Sequence, residues 1–84
     1  MSQKEKILKR LRSKPRDFTW NELITLLTSL GYDQGPTGKT GGSRRSFIHP
    51  KAAIISLHKP HPGSILKRYQ IDDIIEILER EELI

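Results

Sequence analysis

Thr19 and Glu22 stand three residues apart at the head of an apolar run, and that pair fixes where the chain must start a helix. In a T-x-x-E capping box each side chain satisfies a backbone N–H that the first helical turn leaves orphaned. Phe18 and Leu23 sit where a hydrophobic staple closes the entry. Trp20, Leu23, Ile24, Leu27 and Leu30 then recur at helical spacing. Gly31 follows where a left-handed C-terminal cap is wanted. The spacing predicts a helix over 20–30.

Beyond that helix the composition changes. Tyr32 to Ser43 holds four of the six glycines together with Pro36. The segment GPTGKTGG is expected to be an exposed loop, preceded by a short strand near 32–35. Two runs of strand character follow, over 44–49 and 52–58, with Pro50-Lys51 expected as a tight hairpin connection. The second run contains AIISL, a nearly continuous apolar stretch that predicts a central, well-buried strand. KPHPGS, over 59–64, has two prolines and a glycine and is expected to be irregular.

The last helix is expected to begin near Gln70, with Ile71, Ile74, Ile75 and Leu78 as its apolar face. Asp72 and Asp73 in its first turn would suit the positive end of the helix dipole. A short first helix over 3–13 places Ile7, Leu8 and Leu11 on one side and needs docking to form. Pro15 ends it by disfavouring helical geometry at Lys14. The order (α)-α-β-β-β-α defines an α+β fold: a three-stranded antiparallel sheet with helices packed on one face. The expected core is Trp20, Leu23, Ile24, Leu27, Leu30, Phe47, Ile55, Ile71, Ile74 and Leu78.

Eighty-four residues are expected to form one domain, with 1–17 as a helical extension and 18–80 as the core unit. The chain has no cysteine, which removes disulfides and thiolate metal sites and suits a reducing cytoplasm. No apolar run approaches the roughly 20 residues of a membrane span. The N-terminus is basic but lacks the apolar stretch of a signal peptide. A cytoplasmic protein without a membrane partner is expected.

Charge supplies the functional signal. The net charge is +5, and no acidic residue occurs between Asp33 and Asp72. That stretch carries seven Lys/Arg and all three histidines, His49, His58 and His61. Phosphate contacts supply most nucleic-acid affinity and need cations without competing carboxylates. Residues 72–84 hold six acids against Arg80, so the last helix is expected to lie away from any RNA face or against a basic patch elsewhere.

The chemistry-bearing motifs narrow the classes further. Gly38-Lys39-Thr40 lacks the glycine five positions earlier that a phosphate-binding P-loop requires, and no strand-then-helix context surrounds it. His58 and His61 are separated by Pro60, with no carboxylate nearby in sequence, so neither a metal site nor a cofactor is expected. Metal-free RNA cleavage needs a base for the ribose 2′-OH, an acid for the leaving 5′-oxygen and cations on the phosphate. His58 and His61 are the candidate proton carriers. Lys39, Ser43, Arg44, Arg45, Lys51 and Lys59 are the candidate RNA contacts. A binding module of the same fold, without catalysis, is the alternative.

The text LLTSLGYDQGPTGKTGGSRRSFIHP, followed by AIISLHKPHPGSILKRYQIDDIIEIL, resembles the HicA/YcfA family of mRNA-interferase toxins. The likeness lies in the motif order, the Gly42-Ser43 start of the hairpin, and the Lys67-Arg68-Tyr69 lead into the last helix. It covers residues 20 to 80 and leaves out the first helix. The resemblance implies a double-stranded-RNA-binding-like fold. It also implies a toxin that cleaves mRNA without metal and a HicB-like antitoxin partner. It further implies a catalytic histidine directly after Gly-Ser, where this chain has Arg44. Arginine stays protonated and cannot act as a general base near neutral pH. Proton transfer is then expected at His58 or His61, with Arg44 holding phosphate.

Overall fold

The computed structural model describes residues 3–35, 44–60 and 63–84. The elements run α1 (Gln3–Arg12), α2 (Trp20–Ser29), β1 (Asp33–Gln34), β2 (Arg44–Ile48), β3 (Ile55–His58) and α3 (Arg68–Arg80). The expected GPTGKTGG loop, over 35–42, lies outside the described residues from Pro36 onward.

The capping box forms as the sequence dictates. Thr19 Oγ1 accepts from the Glu22 N–H, and Glu22 Oε1 accepts from the Thr19 N–H, both at 3.1 Å. The same carboxylate holds α1: Arg10 Nε donates to Glu22 Oε2 at 2.7 Å. At its other end α2 closes in a Schellman turn, with Gly31 N–H on Thr28 C=O and Tyr32 N–H on Leu27 C=O. Gly31 takes φ +101°, and a Cβ there would stand 2.8 Å from His49 Nε2. Two reasons therefore require glycine, one of backbone and one of space.

That turn delivers the chain into the sheet. β1 pairs antiparallel with β2, Asp33 opposite Ile48, and β2 pairs antiparallel with β3, Phe47 opposite Ile55. Phe47 and Ile55 are buried toward the helices, with the Trp20 ring 5.7 Å from that of Phe47. Side chains alternate along a strand, so Arg44, Ser46, Ile48, Ser56 and His58 share the opposite, open face. After β3 the chain returns to α2: Trp20 N–H donates to Ser64 C=O and Leu66 N–H to Phe18 C=O. This short antiparallel pairing sets α3 beside the sheet.

Several elements differ from expectation. β3 is an edge strand, because the order is β1-β2-β3 and β2 takes the centre. It is also short, since Ala52–Ile54 of the apolar run belong to the connection, where Ile54 is 61% exposed. The tight Pro50-Lys51 hairpin is replaced by a wider span over 49–54. Ala53 holds that span, its C=O accepting from Tyr32 Oη and its N–H donating to Glu81. α3 begins at Arg68, so Asp72 and Asp73 fall beyond its first turn. Asp72 instead meets Lys14 Nζ at 2.8 Å.

The core contains eight of the ten expected residues, while Ile24 and Leu30 are half-buried at its margin. Leu26 is fully buried in α2, whose apolar stripe is wider than the expected one. Ile7, Leu11, Phe18, Tyr32 and Leu66 complete the cluster. α1 thus docks into the same core, as its short amphipathic pattern required. Lys14 adopts φ +52° just before Pro15, reversing the chain after α1.

Two outcomes follow from this packing. Leu27→Ala or Ile74→Ala should each cost roughly 2–5 kcal/mol in urea unfolding. Burial pushes the Glu22 carboxyl up, but hydrogen bonds from Arg10 and Thr19 outweigh it and hold the group below its ordinary range. A carboxyl lowered in the folded state contributes stability above its unfolded pKa and loses it as pH falls through the folded value. The urea midpoint should therefore drop in acid, and the gap between wild type and Glu22→Gln should close there.

Candidate nucleic-acid interface

β2 and β3 bring Arg44 directly opposite His58. Their pairing type follows from the hydrogen bonds around them. Gly35 N–H donates to Ser46 C=O at 2.7 Å, so the main-chain groups of Ser46 point toward β1 and away from β3. Ser46–Ser56 is then a non-hydrogen-bonded pair, and so, two residues on, is Arg44–His58. Side chains approach more closely in such pairs than in hydrogen-bonded ones. Arg44 Nε also reaches diagonally to Ser56 Oγ at 3.1 Å, which anchors the guanidinium over the open face.

The end of β3 is fixed from the helix side. Gln70 is buried, at 4% exposure. Its Nε2 donates to His58 C=O at 2.8 Å, and its Oε1 accepts from Lys67 N–H at 3.0 Å. One amide thus closes the first turn of α3 and holds the backbone that carries His58. Sequence reasoning missed it. The available signal was a glutamine four residues before Ile74, on the apolar face of the helix.

The remaining candidates scatter. Lys59 follows His58 and is exposed. Arg45 lies on the helix side of the sheet opposite Leu57, half-buried, with its guanidinium donating to Arg44 C=O at 3.1 Å. Lys51 sits in the β2–β3 connection, the length of β2 away from Arg44, roughly 13 Å at strand rise. Lys39, Ser43 and His61 lie outside the described residues. His49 is a structural residue: its Nε2 meets Leu30 C=O at 3.1 Å and its Nδ1 accepts from Lys51 N–H at 2.9 Å. With Nδ1 accepting from that N–H, Nε2 is the nitrogen that donates to Leu30 C=O. The ring also packs edge-on against Tyr32, with centroids 4.9 Å apart.

The acidic last helix does not lie clear of the candidate site, because Tyr69 and Asp73 line the same groove as Arg44 and His58; it is partly neutralised within the chain. Arg12 pairs with Glu79 at 3.4 Å and Lys14 with Asp72 at 2.8 Å, so N-terminal cations meet C-terminal acids. Among the described residues no group of three His, Cys, Asp or Glu is placed to hold a metal ion. No helix among them is long and apolar enough to cross a membrane.

A small basic α+β domain with an arginine–histidine pair on an open sheet face is the class this geometry defines. A family model described as the HicA toxin of bacterial toxin-antitoxin systems matches residues 20–79, and the chain belongs to that family. No curated protein and no solved structure matches it.

The Gln70 arrangement has a measurable consequence. Gln70→Met keeps the volume but leaves His58 C=O and Lys67 N–H without their partner. It should cost about 1–3 kcal/mol in urea unfolding. The Lys67 and His58 amide resonances should shift most.

Proposed function

We propose that this toxin binds single-stranded mRNA across the Arg44–His58 end of the sheet and cuts it. The observation that carries this reading is the direct cross-strand pairing of a permanent cation with an imidazole on a solvent-facing surface. Arg44, positioned by Ser56, holds the phosphate. His58 takes the proton of the ribose 2′-OH. The 2′-oxygen attacks phosphorus, the bond to the 5′-oxygen breaks, and that oxygen receives a proton. His61, three residues on, is the second proton carrier in this scheme, and Lys59 adds charge beside the phosphate. Lys39 and Ser43 are further candidate contacts by residue type, while Arg45, on the helix side of the sheet, and Lys51, beyond the far end of β2, lie away from this pair.

The family places the chain in a toxin-antitoxin system. Its partner is then a HicB-like antitoxin whose acidic segment covers the same cations, with complementary charge speeding the encounter. The site of action is the cytoplasm, where mRNA and antitoxin are both found.

Purified protein should cut RNA in the presence of EDTA and leave 2′,3′-cyclic phosphate ends. His58→Ala should lower the rate by about 100-fold or more, with His61→Ala measured beside it. Arg44→Ala should weaken binding across sequences and reduce the log–log salt slope by about 0.7. Wild-type cleavage by both histidine variants would remove the assignment. Binding without any cleavage by wild type would favour a non-catalytic module of the same fold.

A further inference from the structure

A groove runs along the outer edge of β3, between that strand and α3, and opens beside the Arg44–His58 pair. Its volume is about 160 Å³. Leu57 and Ile77 give it an apolar floor, and Tyr69 and Asp73 stand on the helix wall. Tyr69 is 57% exposed, so its ring is open to a partner. Neither the Tyr69 hydroxyl nor the Asp73 carboxylate has a partner among the described residues. Ser56 contributes from the strand side. By the pairing argument above, its main-chain N–H and C=O point outward into the groove, as His58 C=O points to Gln70.

Size and chemistry select the occupant. An apolar cavity of roughly 150 Å³ accepts a benzene ring, so this space suits one flat heterocycle. We propose that it is a subsite for a single nucleobase next to the phosphate at Arg44, and that guanine is the base it takes. The proposal rests on the RNA-binding reading above. The base stacks on Tyr69, as bases do on exposed aromatic rings in single-strand binders. The Asp73 carboxylate accepts hydrogen bonds and donates none. Guanine presents two adjacent donors, N1–H and N2–H, that match two carboxylate oxygens. Adenine and cytosine present one amino group. Uracil presents a lone N–H between two carbonyls, which a carboxylate repels. The outward main-chain groups of Ser56 serve the rest of the base edge.

The test uses the full chain and short uridine oligonucleotides carrying one guanosine, adenosine or cytidine. Their sugars are 2′-O-methylated so that no cleavage intrudes. Fluorescence anisotropy at low salt should give the guanosine oligonucleotide about tenfold tighter binding than all-uridine. Asp73→Asn should bring it to the all-uridine level without weakening all-uridine itself. Tyr69→Ala should weaken the guanosine oligonucleotide about tenfold, and Tyr69→Phe should not. Both positions are exposed, so the folded chain is retained. Equal affinity of wild type for all the oligonucleotides, or a preference that survives Asp73→Asn, overturns the subsite. Cleavage of unmodified RNA is scored separately. Guanosine preference without cleavage upholds the subsite and overturns the nuclease, and cleavage with no base preference does the reverse. Failure to bind any RNA overturns both.

Discussion

The side-chain amide of Gln70 joins the two halves of the molecule that matter for function. Its N–H on His58 C=O and its oxygen on Lys67 N–H satisfy one group from the sheet and one from the helix start. A buried backbone group without a partner costs about as much as a lost hydrogen bond. A side-chain amide offers a donor and an acceptor on separate atoms, so one residue serves both groups. The register between β3 and α3 is thereby set at the residue where the open sheet face presents its imidazole. Packing of Ile71 and Ile74 fixes how close the helix lies, and Gln70 fixes where along the strand it stops.

Glu22 plays the corresponding part on the other side of the core. It caps α2 and receives Arg10 of α1, so local helix entry and tertiary docking share one carboxylate. The ion pairs of Arg12 and Lys14 with α3 are more exposed and contribute little individually. Their larger effect is on charge distribution. Cations at the start of the chain meet acids at its end, while the strands between keep Arg44 and Lys59 clear of carboxylates in sequence.

What the sequence disclosed and what it hid divide along a physical line. Features decided within a few residues were legible: the Thr19–Glu22 box, the Gly31 cap, and the apolar faces of α2 and α3. The strand order was not, because AIISL reads alike whether it is buried on two faces or split between a connection and an edge strand. The limits of the α3 first turn depended on Gln70, whose partner is a carbonyl twelve residues away. For the site, Arg44 and His58 were candidates by residue type, and the strand register sets them opposite each other. The scatter of Arg45 and Lys51 was hidden because period-two alternation and hairpin ends send equal charges to different surfaces. His49 carries the same side chain as His58 but is consumed by two backbone partners that no local pattern announces.

Among the described residues the sheet has two edges, and both strands that form them are short. β1 offers two residues. On β3 the terminal carbonyl is already taken by Gln70, which leaves Ser56 as the next outward-facing residue before the strand ends. Strand addition and fibril growth need a run of available main-chain groups, and short or covered edges deny it. Among the described residues the rims thus offer a second chain little to pair with, whereas the broad face carrying Arg44 and His58 is exposed.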